Sequence, residues 1–110
     1  MNTPASVEPA FAAAAQRFLF GVQKLIDDDH AAHYPNIPRT VVSLEWGPRY
    51  VRVVADHSTQ RSSWGFLDRT NGDVLKAESW KKPAKHARGN LFDEAGGLAR
   101  VGPFGPAYLR

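Results

Sequence analysis

The apolar residues of this chain change period once, between residues 33 and 40, and that change decides the class of fold it can adopt. From Phe11 the apolar positions recur at helical spacing. At 100° per residue, Ala15, Phe18, Val22, Leu25 and Ile26 fall within about 60° of Phe11, while Gln16, Gln23, Lys24 and Asp27 lie off that stripe. One amphipathic helix over about 6–33 follows. Ser6 suits its N-cap, Glu8 suits the positive end of its dipole, and Pro9 fits only in its first turn. Tyr34-Pro35-Asn36-Ile37-Pro38 ends it, because a residue before proline is pushed out of the α region.

After this break the pattern alternates. Val42, Leu44 and Trp46 share one face of a first strand, with Val41, Ser43 and Glu45 on the other. Gly47-Pro48 turns the chain. Arg49 to Ala55 then sets Val51, Val53 and Ala55 against Tyr50 and Arg52. Asp56 to Arg61 reads as a polar loop. Ser62–Asp68 and Asp73–Ser79 form a hairpin through Asn71-Gly72, a turn whose usual form needs φ > 0 at both positions. Residues 80–110 alternate Gly and Pro with Leu91, Phe92, Leu98, Val101, Phe104, Tyr108 and Leu109, too many large apolar side chains for a disordered tail. The expectation is α+β. One long N-terminal helix packs on a four-stranded antiparallel meander over 40–79, and an irregular Gly/Pro-rich wrap over 80–110 completes a single domain of 110 residues. The helix covers one sheet face; the tail, a partner or water covers the other.

Composition narrows the functional classes. Cysteine is absent, which excludes disulfides and thiolate metal sites. No apolar run reaches the ~20 residues of a membrane span. Met1-Asn2-Thr3-Pro4 lacks the basic start of a signal peptide, so a cytoplasmic setting without membrane attachment is expected. Asp29-His30-x-x-His33 offers metal-ligand types on one helix face but no third ligand, and no metal or other cofactor is expected. Asp56-His57-Ser58 holds the residue types of a hydrolytic triad. Neighbours in sequence do not assemble that geometry, and no Gly-x-Ser-x-Gly turn, Walker loop or dinucleotide fingerprint occurs. A non-enzymatic role is the expectation.

Charge is clustered. The formal excess is +3, and Trp80-Lys81-Lys82-Pro83-Ala84-Lys85-His86-Ala87-Arg88-Gly89-Asn90 carries four fixed positive charges with no acid between Glu78 and Asp93. Read as a phosphate-binding loop, it offers Lys81, Lys82 and Lys85 as point charges and Arg88 as a bidentate fork. Gly89 and Asn90 supply backbone amides for an anion nest, His86 is a donor once protonated, and Trp80 is a stacking face. The ligand would be nucleic acid or a nucleotide. The opposing reading is internal neutralisation by Asp27, Asp28 and Asp29 at the helix C-terminus. Arg49, Tyr50 and Arg52 form a second aromatic and basic surface on one strand. Phe20, opposite the apolar stripe, is a contact for a homo-oligomer or a host protein partner.

The run Gly65-Phe66, Gly72-Asp73-Val74-Leu75-Lys76-Ala77, Trp80 to Asn90, and the terminal Gly105-Pro106-Ala107-Tyr108-Leu109 resembles a class of small proteins encoded by bacterial viruses, over about the C-terminal half of the chain. That resemblance implies a phage or prophage protein working in a bacterial cytoplasm. It transfers no site residue.

Overall fold

The computed structural model describes residues 7–107. The expected cap Ser6 and the apolar Tyr108 and Leu109 lie outside them. Helix α1 spans Val7–His33, and five strands follow in chain order: β1 Val41–Trp46, β2 Tyr50–Asp56, β3 Arg61–Asp68, β4 Asp73–Ala77 and β5 Pro83–Asn90. They form one antiparallel sheet in the order β1-β2-β3-β4-β5, and β6 (Val101–Gly102) pairs with β7 (Gly105–Pro106) in a separate hairpin. The α+β class and the meander agree with the sequence pattern. The strand count does not: the main sheet has five strands, because the basic segment read as a loop pairs with β4, Leu75 opposite Ala87 and Ala77 opposite Pro83. The pairing is interrupted by register shifts on both sides of Leu75. A bulged strand of Lys, His, Arg and Gly residues gives no apolar alternation to read.

The inner sheet face meets the helix stripe. Val42, Leu44 and Trp46 stand opposite Ala55, Val53 and Val51, the faces that alternation assigned. Against them pack Phe11, Ala14, Ala15, Phe18, Val22 and Ile26. Phe11 meets Trp46, and Phe18 meets Trp64, edge to face at 5.7 Å in each case. β3 reaches this core through a bulge. Val53 pairs with Gly65 and Val54 with Ser63, leaving Trp64 as the extra residue. The bulge reverses the alternation, so Trp64 and Leu67 both join the core while Phe66 points to the outer face beside Tyr50, at 6.2 Å between rings.

The tail covers the inner face beside the helix rather than the outer one. A Cβ on Gly97 would lie 3.1 Å from Phe18 and 3.0 Å from Val74, and one on Gly65 would lie 3.2 Å from buried Pro106. Lys76 donates to the Pro106 carbonyl at 3.0 Å. Asp93 organises the approach: its carboxylate accepts from the backbone N–H groups of Gly97 (2.9 Å), Ala95 (3.0 Å) and Asn90 (3.1 Å). The Asn71-Gly72 hairpin forms, but with another turn. Only Gly72 has positive φ (84°), and its N–H bonds the Asp68 carbonyl at 2.7 Å. Buried Asp68 holds the start of that turn by accepting from the Thr70 N–H at 2.9 Å and hydroxyl at 2.6 Å.

The C-terminal half of α1 is tied to the sheet edge by Gln23. Its amide donates to the Thr40 carbonyl (2.9 Å) and accepts from the Val42 N–H (2.8 Å), completing backbone groups on the outward side of β1. The same amide nitrogen donates to Asp27 at 2.9 Å, and Arg39 donates to both Asp27 oxygens. Burial opposes ionisation of Asp27, but these hydrogen bonds and the charges of Arg39 and His30 outweigh it and lower its pKa. Asp93 is lowered too, chiefly by the backbone N–H groups of Gly97 and Asn90. Groups with depressed folded-state pKa values stabilise the fold above the ordinary carboxylate range, and the contribution is lost as pH falls through the depressed values. The urea midpoint should therefore drop below about pH 4, with a shallower drop in Asp27→Asn/Asp93→Asn. An unchanged acid limb in that variant would remove these carboxylates from the account.

Candidate functional site

The sequence singled out two basic surfaces, and the fold brings the start of one, Trp80 and Lys81, against the other on the outer face of the sheet. Trp80 lies in the connection between β4 and β5, which turns tightly where Glu78 N and Ser79 N both bond the Lys82 carbonyl, at 2.8 and 3.1 Å. This places the Trp80 ring over Arg52 of β2, whose guanidinium carbon sits 4.2 Å from the ring centroid. Arg52 Nε donates to the Trp80 carbonyl at 2.8 Å, so one arginine holds both the backbone and the ring of this turn. Below it Arg52 reaches Phe66 at 5.8 Å, and Arg61 approaches the Trp80 ring at 5.8 Å from the neighbouring strand. Trp80 retains 37% of its surface in solvent. Alongside, Arg49, Tyr50, Arg52, Phe66 and Lys81 line a shallow cleft of about 310 Å³.

The cations of this face differ in what already occupies them. Arg52 and Arg61 both pair with Glu45. Arg49 pairs with buried Asp68 at 3.3 Å and lies 5.0 Å over the Tyr50 ring. Lys82 pairs with Glu78 at 3.3 Å, both ends exposed, a contact worth only ~0–1 kcal/mol and easily given up. Lys81 and Lys85 are exposed and have no ion pair among the described residues. His86 is exposed as well.

Three residues of the expected phosphate loop have structural work instead. Arg88 is 7% exposed and donates to the Ala107 carbonyl at 3.0 Å and to the His86 carbonyl, clamping the tail to β5. Asn90 donates to Asn71 O (2.8 Å) and Asp73 (3.0 Å) and accepts from the Phe92 N–H (2.8 Å), bracing the hairpin. Gly89, at φ 157°, is extended within β5 and forms no nest with Asn90, whose N–H already bonds Asp93. The acidic run does not neutralise the basic segment either. Asp27 pairs with Arg39, Asp28 with Lys24 and Asp29 with His33. No group of three or more metal-ligand side chains occurs among the described residues.

Sequence reading missed Glu45, Arg61 and Phe66. Glu45 and Arg61 come from separate strands and meet through register, and Phe66 reaches this face only because of the bulge. Residues 13–102 match a family of unknown function, DUF7717. The chain belongs to this family. The DUF7717 match covers the helix from Ala13, all five strands of the sheet and β6, so it contains every residue of the outer face. Comparison with curated proteins and with solved structures gives no match. No helix among the described residues is long and apolar enough to cross a membrane.

Proposed function

We propose that the protein is a non-enzymatic binder of phosphate-bearing ligands, nucleic acid or a nucleotide, through the outer sheet face around Trp80. The observation that carries this reading is the Trp80 ring stacked on Arg52 at 4.2 Å beside exposed Lys81, at the start of a segment without acids. A ring braced from beneath by a guanidinium is a fixed platform for a base, and unpaired Lys81 beside it supplies a phosphate contact without first breaking an internal pair. Lys82 joins it by releasing Glu78. Arg52 acts as the brace and Arg88 as the clamp of the tail, so neither is a phosphate ligand. A role in a bacterial virus or prophage fits such a binder.

The test is fluorescence anisotropy of short labelled single-stranded oligonucleotides over a range of salt concentrations. Each neutralised phosphate contributes about −0.7 to the slope of log K against log salt on single strands, so Lys81→Ala/Lys82→Ala/Lys85→Ala should flatten the slope by about 2. Trp80→Ala should cost about 1–3 kcal/mol of stacking. Undetectable binding at low salt, or a triple variant with an unaltered slope, overturns the reading. Saturation by one mononucleotide, with no gain from added length, would identify the ligand as a nucleotide rather than a polymer.

A protein-interaction or homo-oligomeric role is the second reading, favoured by Phe20, which is 77% exposed beside Leu19 and Val42. Light scattering on the wild type and on Phe20→Asp separates it from the first, since the lysine variant leaves such an assembly intact.

A further inference from the structure

At the other end of the inner face, a cleft of about 430 Å³ opens between the last turns of α1, the Tyr34–Pro38 connection, the neighbouring ends of the strands and the tip of the β6–β7 hairpin. Its size lies within the ~300–1,000 Å³ of small-molecule sites. Three of the large apolar side chains most open to water line it: Tyr34 at 51%, Ile37 at 56% and Phe104 at 80% exposure. Trp64 closes the inner wall, and its indole N–H is buried without a hydrogen-bond partner.

The polar part of the lining is a connected chain. His57 bonds the Thr40 hydroxyl through Nδ1 at 3.1 Å and the Ser62 hydroxyl through Nε2 at 2.9 Å. A neutral imidazole donates on one side and accepts on the other, so one of the two hydroxyls keeps its lone pairs available and the other its proton. Thr40, His57 and Ser62 all line the cleft. His30 is spent on the Ile37 carbonyl at 2.6 Å, which folds the connection against the helix end and shapes the opening.

Charge selects the occupant. In a chain with a formal excess of +3, no Lys or Arg among the described residues lines this cleft, and the one Asp or Glu among them that does is Asp29, whose Oδ1 also bonds His33 Nδ1 at 3.0 Å. Asp29 stands in the last turns of α1, where the helix dipole is negative. A cation is favoured and an anion repelled, and the aromatic walls offer π faces to a positive charge.

We propose that this cleft binds a small aromatic amine in its protonated form, the ring among Tyr34, Trp64 and Phe104 and the ammonium toward Asp29 and the Thr40–His57–Ser62 chain. The site is independent of the outer face, which selects the opposite charge.

Three probes of matched size test it: 2-phenylethylamine, 2-phenylethanol and phenylacetate, titrated into the full-length protein at pH 8 by calorimetry and by the Trp indole N–H resonances. Saturable binding of the amine is expected, about tenfold tighter than the alcohol, with no binding of the acid. The Trp64 N–H signal should move while that of Trp80 stays in place. Phe104→Ala alters an exposed side chain and should weaken the amine at least several-fold without lowering the melting temperature. Lys81→Ala/Lys82→Ala/Lys85→Ala should leave amine binding unchanged. No saturable binding, equal affinity for amine and acid, or full affinity in Phe104→Ala overturns the proposal.

Discussion

Phe18→Ala should destabilise the fold by about 3–5 kcal/mol, the largest single effect expected anywhere in the chain. Phe18 is fully buried, meets Trp64 edge to face, and lies under Gly97 of the tail. It therefore joins three elements: the middle of α1, the bulged strand β3 and the turn after Asp93. Truncation leaves a cavity that none of the three can fill alone. Against the ~5–15 kcal/mol stability of an ordinary domain, this removes a large share of the total. Urea denaturation followed by far-UV circular dichroism should show a lower midpoint with an unaltered slope. A loss below about 1 kcal/mol would mean that the tail collapses into the space.

The second large effect comes from the opposite side of the same contact. Gly97→Ala puts a methyl where φ is +88°, 3.0 Å from Val74 and 3.1 Å from Phe18. The backbone term costs ~1–2 kcal/mol and the forced repacking ~1–3 more, so about 2–5 kcal/mol is expected in sum. Gly96→Ala is the internal control. Its φ is +64°, yet nothing lies within 4 Å of the added carbon, so only the backbone term of ~1–2 kcal/mol applies. Equal losses at the two glycines would overturn the packing argument. The pair Phe18→Ala/Gly97→Ala should lose less than the sum of its singles, since one change opens the space that the other fills.

What could be read from the chain without coordinates divides along a physical line. The helix stripe and the inward faces of β1 and β2 were legible, because burial against one partner enforces a period. β5 was not. Its side chains are mostly polar, its pairing shifts twice, and strand formation there follows from the waiting edge of β4 rather than from its own pattern. The bulge at Trp64 was equally silent, although it decides that Phe66 rather than Leu67 joins the outer face. For the site, residue types pointed to Trp80, Lys81 and Arg52 separately, and only register joins them. The same types grouped Arg88 and Asn90 with them although the fold gives both internal partners, because an arginine that clamps a carbonyl and one that awaits a phosphate look alike in a sequence.

Gln23 has a consequence beyond docking the helix. β1 is the end of the sheet, and its outward Thr40 carbonyl and Val42 N–H are the groups that a foreign strand would seize first. A side-chain amide already fills both, so a mature molecule presents an edge that is closed at one end. A chain whose helix has not yet settled presents that edge bare. Helix arrival thus doubles as the step that retires a polymerisation template, and the order in which the halves of this protein mature sets how long it can misassemble.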